Sequence, residues 1–312
     1  MDAVAGMLDG PRARGAFLLR STLAAPWSLR IADEAPLTLV ATVRGGAWVL
    51  PDDGEPVRIE RGDVCLLRGP DPYTVADDPG TEPQALILPG AECRYPDGRS
   101  LNGSMDLGVR TWGDRPDGSA VMLIGTYLWE GEISGRLLKA LPPLLSLTAD
   151  VWNCPLTPYL MDEIVRDEPG QEVVLDRLLD LLVIAALRAW FSRPQAEAPA
   201  WYAALADPVV GRVLRLVQDD PALPWTVASL AAKAGVSRAA LARRFTELVG
   251  EPPMTYLTGW RMALAADALR DTDDTLDAIA RRVGYGSAFA LSSAFKRVYG
   301  VSPQEHRGRV LP

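Results

Sequence analysis

Residues 226–250 read TVASLAAKAGVSRAALARRFTELVG, and residues 275–300 read TLDAIARRVGYGSAFALSSAFKRVYG. The segment from Thr226 to Gly235 aligns without a gap with the segment that begins at Thr275. After one inserted residue the alignment resumes, so that Ser237 matches Ser287. Two copies of one structural unit therefore lie in the last third of the chain.

Each copy has the parts of a helix-turn-helix. A threonine can N-cap the first helix, a glycine can end it in the left-handed conformation, and a serine can N-cap the second helix. These positions are Thr226, Gly235 and Ser237 in the first copy, and Thr275, Gly284 and Ser287 in the second. On each second helix a Leu and a Phe four residues apart face inward, which leaves the opposite face free to enter a DNA groove.

This geometry predicts which side chains meet DNA. Arginine can bind guanine with two hydrogen bonds, alanine and phenylalanine can pack on a thymine methyl group, and serine is a permissive polar contact. Base contacts are predicted for Arg238, Ala239, Ala242, Arg243, Ala288, Phe289, Ser292 and Ser293. Thr246 is a further candidate on the first recognition helix. Phosphate contacts, which orient the protein without specifying sequence, are predicted for Ser237, Ser287, Lys296 and Arg297.

A continuous helix is predicted between the copies, over residues 253–271. Its packing face is predicted to consist of Leu257, Trp260, Leu264 and Ala268. If both recognition helices enter one face of the duplex, their separation should be about 34 Å. The alternative without a DNA role is a helical bundle whose arginines form a solvated face. A repeated motif favours DNA binding over that alternative.

Charge is divided unevenly along the 312 residues. From residue 207 onward there are 14 Lys and Arg against 11 Asp and Glu, a net charge of +3, although the whole chain carries −8. The preceding residues carry 18 against 29, a net charge of −11. The two halves therefore have different electrostatic roles.

The amino-terminal half has the pattern of short strands separated by turns. Strands are predicted at 15–22, 27–31, 37–44, 47–50, 56–60, 63–68, 84–88 and 120–128. Short helices follow at 134–142 and 158–167, and a long one at 171–191. The long helix either covers the core of the preceding domain or pairs with a second chain. The chain thus divides into a β-barrel or sandwich over 1–150, a helical connector over 151–200 and a helical DNA-binding domain over 201–312.

Cysteine and histidine usage argues against several classes of enzyme. Three dispersed cysteines fit no zinc or disulfide pattern, and a single histidine, His306, cannot build a site that needs several imidazoles. No metal, cofactor or catalytic residue is predicted. The longest apolar run, 181–187, is far shorter than the roughly 20 residues of a membrane span. A cytoplasmic location without membrane contact is therefore expected.

The residues WTVASLAAKAGVSRAALARRFTELVG and AIARRVGYGSAFALSSAFKRVYGVSPQEHR closely resemble the AraC/XylS family of regulators. The stretches RGGAWVL and GEPVRIERGDVCLLRGPDPY are similar to the cupin-like sensor domain of one AraC subgroup. The resemblance implies a transcription regulator, an activator or repressor, whose sensor responds to an unknown small molecule or other signal. Its implied partners are promoter DNA, RNA polymerase and a second copy of the chain as a homodimer.

Several residues depart from the family pattern. Ser293 stands where the family usually has arginine, Leu291 where phenylalanine is common, and His306 where tyrosine usually precedes arginine. Base substitutions in the part of the DNA site that the second recognition helix contacts are therefore expected to weaken binding less than substitutions in the part that the first contacts. In the sensor, Tyr73 stands where the subgroup often has histidine, and Gly125 precedes Thr126 where a Gly-His pair is sometimes seen.

Three kinds of signal could act on the sensor. An apolar or aromatic molecule could lie among the candidate pocket residues Trp27, Trp48, Tyr73, Trp112, Tyr127 and Trp129, although most large aromatics are ordinary core. Thiol oxidation is the alternative, with Cys93 beside Arg94 and Cys154 in the connector as candidates. A regulator switched by a protein partner without a ligand remains a third alternative, and a cupin-type enzyme is the least favoured.

Overall fold

The computed structural model describes residues 17–101, 103–127, 138, 141–152, 154–193 and 200–310. The chain divides into two compact units. One is formed within residues 11–130 and 141–196, and the other includes the residues from 197 onward. Most of the helix predicted at 134–142, and Trp129, lie outside the described residues.

The first unit is built from two β-sheets. Its strands are β1 (Phe17–Leu23), β2 (Ser28–Ile31), β3 (Leu37–Arg44), β4 (Ala47–Pro51), β5 (Val57–Ile59), β6 (Val64–Arg68), β7 (Tyr73–Ala76), β8 (Ala85–Leu88), β9 (Glu92–Arg94), β10 (Asp106–Gly108), β11 (Thr111–Gly113), β12 (Ala120–Tyr127) and β13 (Leu144–Leu147). One sheet has the strand order β10-β11-β1-β12-β3-β6-β13 and the other β5-β4-β7-β2-β8-β9. A short 3-10 turn lies at Pro89–Ala91.

The inner faces of the two sheets form one hydrophobic core. Val40 and Cys65 of the first sheet belong to the same buried cluster as Leu29, Val49 and Ile59 of the second. Alternate residues of a strand face opposite sides of its sheet, so one face of each strand supplies this core. The β-barrel or sandwich that the sequence predicts for the amino-terminal half is therefore confirmed, as two sheets that share one core.

Two helices complete this unit, α1 (Leu156–Glu163) and α2 (Gln171–Phe191). Strand β3 shows why α2 is needed, because six consecutive residues of this strand are buried, which requires cover on both of its faces. Gly125 of β12 pairs with Leu39 of β3, and a Cβ on Gly125 would lie 2.2 Å from Leu179 Cδ1. Helix α2 thus packs against the outer face of the sheet, which is the first of the two interpretations of this helix.

The second unit is helical. Its elements are α3 (Ala200–Ala204), α4 (Val210–Asp219), α5 (Val227–Ala234), α6 (Arg238–Val249), α7 (Pro253–Asp271), α8 (Leu276–Arg282), α9 (Ala288–Tyr299) and α10 (Pro303–Val310). Helix α7 spans the residues that the sequence predicts for it. It contributes Tyr256 and Leu257 to a core with α4, α5 and α6, and Met262 and Leu269 to a second core with α8 and α9.

The packing of α7 is wider than the predicted stripe. Leu257, Trp260 and Ala268 are buried as expected, but Leu264 is partly exposed. The buried set extends around the helix to Met262, Ala263, Ala265, Ala266 and Leu269. The predicted stripe includes too few of the buried residues, because α7 packs against two separate cores, one for each copy of the repeat.

Candidate DNA interface and sensor cavity

The first helix-turn-helix consists of α5 and α6. Thr226 and Ser229 form a capping box, in which the Ser229 amide donates to Thr226 Oγ1 at 3.0 Å and the Thr226 amide donates to Ser229 Oγ at 2.9 Å. Gly235 ends α5 with φ at 74°, which a residue with a side chain rarely adopts. Ser237 caps α6 by accepting from the Ala240 amide at 3.2 Å. The predicted caps are therefore in place.

Helix α6 has one buried and one exposed face. Leu241 and Phe245 are fully buried, and the Phe245 ring packs edge-on against Tyr256 of α7. Arg243 lies on the other face with its side chain 78% exposed, and its nearest acidic group is Glu247 at 3.8 Å. The same face carries exposed Arg238, Ala239 and Thr246, with Ala242 partly buried. The exposed face is free to meet a DNA groove.

The second copy, α8 and α9, repeats this arrangement. The hydroxyls of Thr275 and Ser287 accept from the amides of Ala278 and Ala290, both at 3.3 Å or less. Leu291 and Phe295 are fully buried. On the opposite face Ser293, Lys296 and Arg297 are exposed, and Ala288 and Ser292 are partly buried.

Phe289 is the most exposed large apolar side chain in the described part of the chain, at 82%. It lies in the first turn of α9, on the face opposite Leu291 and Phe295. An exposed ring gains no free energy from burial, and a partner that covered Phe289 would supply that gain.

Arg244 has a structural role that differs from that of Arg243. Its Nε donates to Asp207 Oδ2 at 2.9 Å, and the hydrogen bonds from its guanidinium lower the pKa of the Asp207 carboxyl. Asp207 also accepts from the amides of Val209 and Val210 at the start of α4. Arg244 thus connects the recognition helix α6 to the amino-terminal end of α4.

The turn of the second helix-turn-helix contacts the loop that precedes the first one. Arg261 of α7 donates to the carbonyl oxygens of Pro221 and Leu223 at 2.7 and 2.8 Å, and its guanidinium lies 5.9 Å from the Tyr285 ring centroid. At the neighbouring Gly284, whose φ is 81°, a Cβ would lie 2.8 Å from the Ala222 carbonyl oxygen. The turn of the second copy therefore packs closely on the α4–α5 loop, which directly precedes the first copy.

The sensor unit holds a cavity of about 670 Å³ between its two sheets. Its wall is largely aliphatic, with Leu19, Val40, Met122 and Ile124 from one sheet and Leu29, Ile31, Val75 and Ile87 from the other. Polar or aromatic groups come from Asp33, Thr38, Tyr73, Asp106, Arg110, Thr111, Trp112 and Thr126. The volume lies in the range of small-molecule sites, roughly 300–1,000 Å³.

Two of the candidate pocket aromatics line this cavity, Tyr73 and Trp112. Three other candidates do not line the cavity, contrary to the prediction. Trp27 is 1% exposed and belongs to the packed core, while Trp48 stacks under the Arg58 guanidinium at 5.6 Å. Tyr127 donates to Asp180 Oδ1 of α2 at 3.2 Å. Neighbouring strand residues face opposite sides of a sheet, so the aromatic residue type alone does not tell which ones face the cavity.

The cavity residues that the sequence analysis missed are mainly on short elements. Asp33 follows β2, and Arg110 and Thr111 lie at the start of β11. Arg110 donates to Gln171 Oε1 at 2.7 Å, and Gln171 is the buried first residue of α2. The alternation in YTVA, residues 73–76, is a signal that could have revealed β7.

The three cysteines lie in different surroundings. Cys65 is fully buried, and burial raises the pKa of its thiol to about 12. Cys93 lines the cavity, and burial together with the charge of Glu92 raises the pKa of its thiol. Arg94 does not favour the thiolate of Cys93, because its guanidinium pairs with Glu92 at 2.6 Å. Cys154 is partly buried.

The residues that the structure describes contain no cluster of three His, Cys, Asp or Glu side chains that is arranged to hold a metal ion. None of the helices described above combines the length and the apolar composition that a membrane crossing requires.

Comparison with known proteins shows the family of both units. The cupin family model matches residues 2–192, and the model of a helix-turn-helix domain matches residues 230–309. An AraC-like transcription regulator of Streptomyces lividans is 35% identical over 288 residues, 90% of each chain. A second, from Streptomyces antibioticus, is 34% identical over 94% of this chain and 95% of its own.

Among solved structures, the DNA-binding domain of the global transcriptional factor AdpA, in complex with a target DNA, is 33% identical. The match covers 33% of this chain and 93% of that one, with a TM-score of 0.32. The full-length relatives and the two family models agree with the architecture described above. The chain belongs to the AraC-like transcription regulators, with an amino-terminal cupin domain and a carboxy-terminal helix-turn-helix DNA-binding domain.

Proposed function

We propose that this regulator reads a two-part operator by inserting α6 and α9 into successive major grooves. The observation that carries the proposal is the repeated division of each helix into a fully buried Leu and Phe and an exposed opposite face. A rigid spacing between the helices is supported by α7, which packs in both cores, and by the close approach at Gly284. The proposed separation is about one helical turn, near 34 Å.

The two helices present different chemistry to DNA. Helix α6 offers Arg238 and Arg243, which suit guanine, together with Ala239 and Ala242. Helix α9 offers an uncharged set, in which Ala288 and Phe289 suit thymine methyl groups and Ser292 and Ser293 are permissive polar contacts. The Ser237 and Ser287 hydroxyls accept from helix amides and keep a proton to donate to phosphate, and Lys296 and Arg297 add charge.

The cavity is proposed as the site where a small molecule acts. It is enclosed by both sheets and lies beside Arg110, whose hydrogen bond to Gln171 reaches the first turn of α2. An effector changes DNA binding only if its affinity differs between two conformations, and movement at Gln171 is one route to such a difference. Because the full-length relatives are regulators, a role without catalysis is proposed.

Membership of the family also suggests further binding partners for the protein and a location in the cell. RNA polymerase is a proposed partner, and the location is proposed to be the cytoplasm. A homodimer is proposed through the outer face of α2, where Val173, Val174 and Leu181 are 61%, 38% and 47% exposed. Oxidation of Cys93 or Cys154 is the less favoured switch, and burial raises the pKa of the Cys93 thiol.

The operator model is tested by selecting duplexes that bind the full-length protein from a random-sequence pool, then mutating every base pair of the selected site. We expect two sensitive blocks about one helical turn apart, with larger losses in the block that contacts α6. A single sensitive block, or a spacing that varies freely among selected duplexes, would contradict the model. Equal losses in both blocks would reject the weaker role of the second copy.

A further inference from the structure

The sensor cavity contains a half-buried carboxylate, Asp33, that pairs with no cation among the residues the structure describes. Asp33 lines the cavity just after β2, and its Oδ1 accepts from the Ala35 amide at 3.1 Å. Within the part of the chain that the structure describes, no Lys or Arg forms an ion pair with Asp33. Burial raises the pKa of this carboxyl, and the amide hydrogen bonds oppose that shift. A buried charge without a partner is unfavourable, so a ligand that supplied a cation would gain affinity.

The surroundings of Asp33 suit an organic cation. Burial, and after it the nearby charge of Asp33, raises the pKa of the Tyr73 phenol. The aromatic rings of Tyr73 and Trp112 both line the cavity. Aromatic rings attract ammonium groups through their π faces, and the aliphatic wall would cover the apolar body of such a molecule.

The charges in the rest of the cavity also favour a cationic ligand over an anionic one. Its described lining residues include two carboxylates, Asp33 and Asp106, and a single guanidinium, that of Arg110. The Arg110 guanidinium donates to Gln171 Oε1 at 2.7 Å, and Gln171 in turn donates to the Glu163 carbonyl oxygen. An anionic ligand that drew Arg110 away would leave the buried Gln171 without this hydrogen bond.

We propose that the effector of this regulator is a small organic ammonium compound with an apolar or aromatic body, whose ammonium group pairs with Asp33 between the two sheets. This inference rests on the proposed role of the cavity as the effector site, and it adds the chemical class of the effector. Asp33 is the residue that determines specificity for the cation, and Tyr73 and Trp112 contact the part of the ligand beside it.

The test uses three probes with the same phenylalkyl body and a different end group: phenylbutylamine, phenylbutanol and phenylpentanoate. Binding to the full-length protein is measured by calorimetry at neutral pH. The amine is expected to bind about tenfold or more tightly than the alcohol, since a hydrogen bond to a charged group is stronger than a neutral one. The carboxylate is expected to bind most weakly.

Asp33→Asn is the diagnostic variant, because asparagine keeps the oxygen that accepts from the Ala35 amide. It should lower the affinity for the amine to that for the alcohol and leave the alcohol unchanged. Asp106→Asn is the matched control, since Asp106 lines the same cavity but is exposed, and it should preserve the preference for the amine. A melting curve without probe shows whether each variant folds.

Three outcomes would overturn the proposal: equal affinity for amine and alcohol, tighter binding of the carboxylate, or an equal loss in both variants. Failure of all three probes to bind would also overturn it. Salt-dependent binding of the selected operator is measured on the same preparations. If one of these outcomes occurs while operator binding is intact, the ammonium class is wrong and the regulator function stands. If operator binding is absent, the proposed function fails independently of the ligand.

Discussion

Arg243 is the residue whose position argues most directly for base recognition. It lies in α6 two positions after Leu241, on the exposed face, whereas its neighbour Arg244 pairs with Asp207. The two adjacent arginines therefore lie in different surroundings, since Arg243 is on the exposed face of α6 and Arg244 connects α6 to the start of α4. The sequence predicts the outward position of Arg243, but the pairing of Arg244 depends on a residue 37 positions away.

Arg243→Ala is expected to weaken binding to the selected operator by about 1–3 kcal/mol. The loss should concentrate on the base pairs that Arg243 contacts, so base specificity at those positions should relax. The measurement is a fluorescence-anisotropy titration with the operator and its single-base variants. Arg115→Ala removes an exposed charge from the sensor unit, where the side chain is 63% exposed, and serves as the control. Equal small losses in both variants would show that Arg243 contributes charge alone.

Phe289 provides a separate prediction, because it is large, apolar and exposed. Phe289→Ala should leave the free energy of unfolding nearly unchanged, since little buried surface is lost, but it should weaken operator binding. Phe295→Ala, on the buried face of the same helix, should lower the free energy of unfolding by about 3–5 kcal/mol. Urea unfolding and operator titration of both variants distinguish the roles. A destabilised Phe289→Ala variant with unchanged DNA affinity would assign Phe289 to packing.

Elements rather than single residues set the spacing of the two recognition helices. Gly235 and Gly284 occupy equivalent places in the two copies, and both have positive φ, at 74° and 81°. A Cβ on Gly235 would meet nothing within 4 Å, whereas one on Gly284 would meet the Ala222 backbone. Substitutions at the two glycines therefore separate the effect of the left-handed backbone conformation from the effect of the contact with the α4–α5 loop.

Gly235→Ala should lower the free energy of unfolding by about 1–2 kcal/mol, the strain of a left-handed alanine. Gly284→Ala should have a larger effect, because the Ala222 carbonyl must also move. It should in addition weaken binding to a duplex with both half-sites more than Gly235→Ala does. Chemical unfolding and DNA titration of the two variants check this. Equal unfolding free energies and equal DNA affinities of the two variants would mean that the contact at Ala222 does not fix the position of the second copy.

The contact between α2 and the first sheet gives a second prediction about elements. Gly125→Ala would place a methyl group against the fully buried Leu179, which should lower the free energy of unfolding of the sensor unit by about 1–3 kcal/mol. Leu179→Ala alone leaves a cavity, but it also makes room for the new methyl group. The double variant should therefore be less destabilised than the sum of the single ones. Strict additivity in urea unfolding would contradict this contact.

At the scale of the whole molecule, the sequence predicts the repeated unit better than the sensor. The caps at Thr226, Ser237, Thr275 and Ser287 depend on neighbouring residues, so local spacing is sufficient to place them. The cavity depends on which residues of paired strands face inward, and β7 was not recognised although it carries Tyr73. Asp33 and Arg110 lie in turns or at strand ends, where no periodicity marks them. Their meeting in one cavity is a property of the tertiary fold.

The measurement that tests the central claim is an anisotropy titration of the full-length protein and the Arg243→Ala/Phe289→Ala double variant. Each is titrated with the selected operator and with a scrambled duplex, at several salt concentrations. We predict that the unaltered protein binds the operator more tightly than the scrambled duplex, that binding weakens with salt, and that the double variant loses the preference while it keeps its weak binding to both. A double variant that retains full preference for the operator would contradict recognition through α6 and α9.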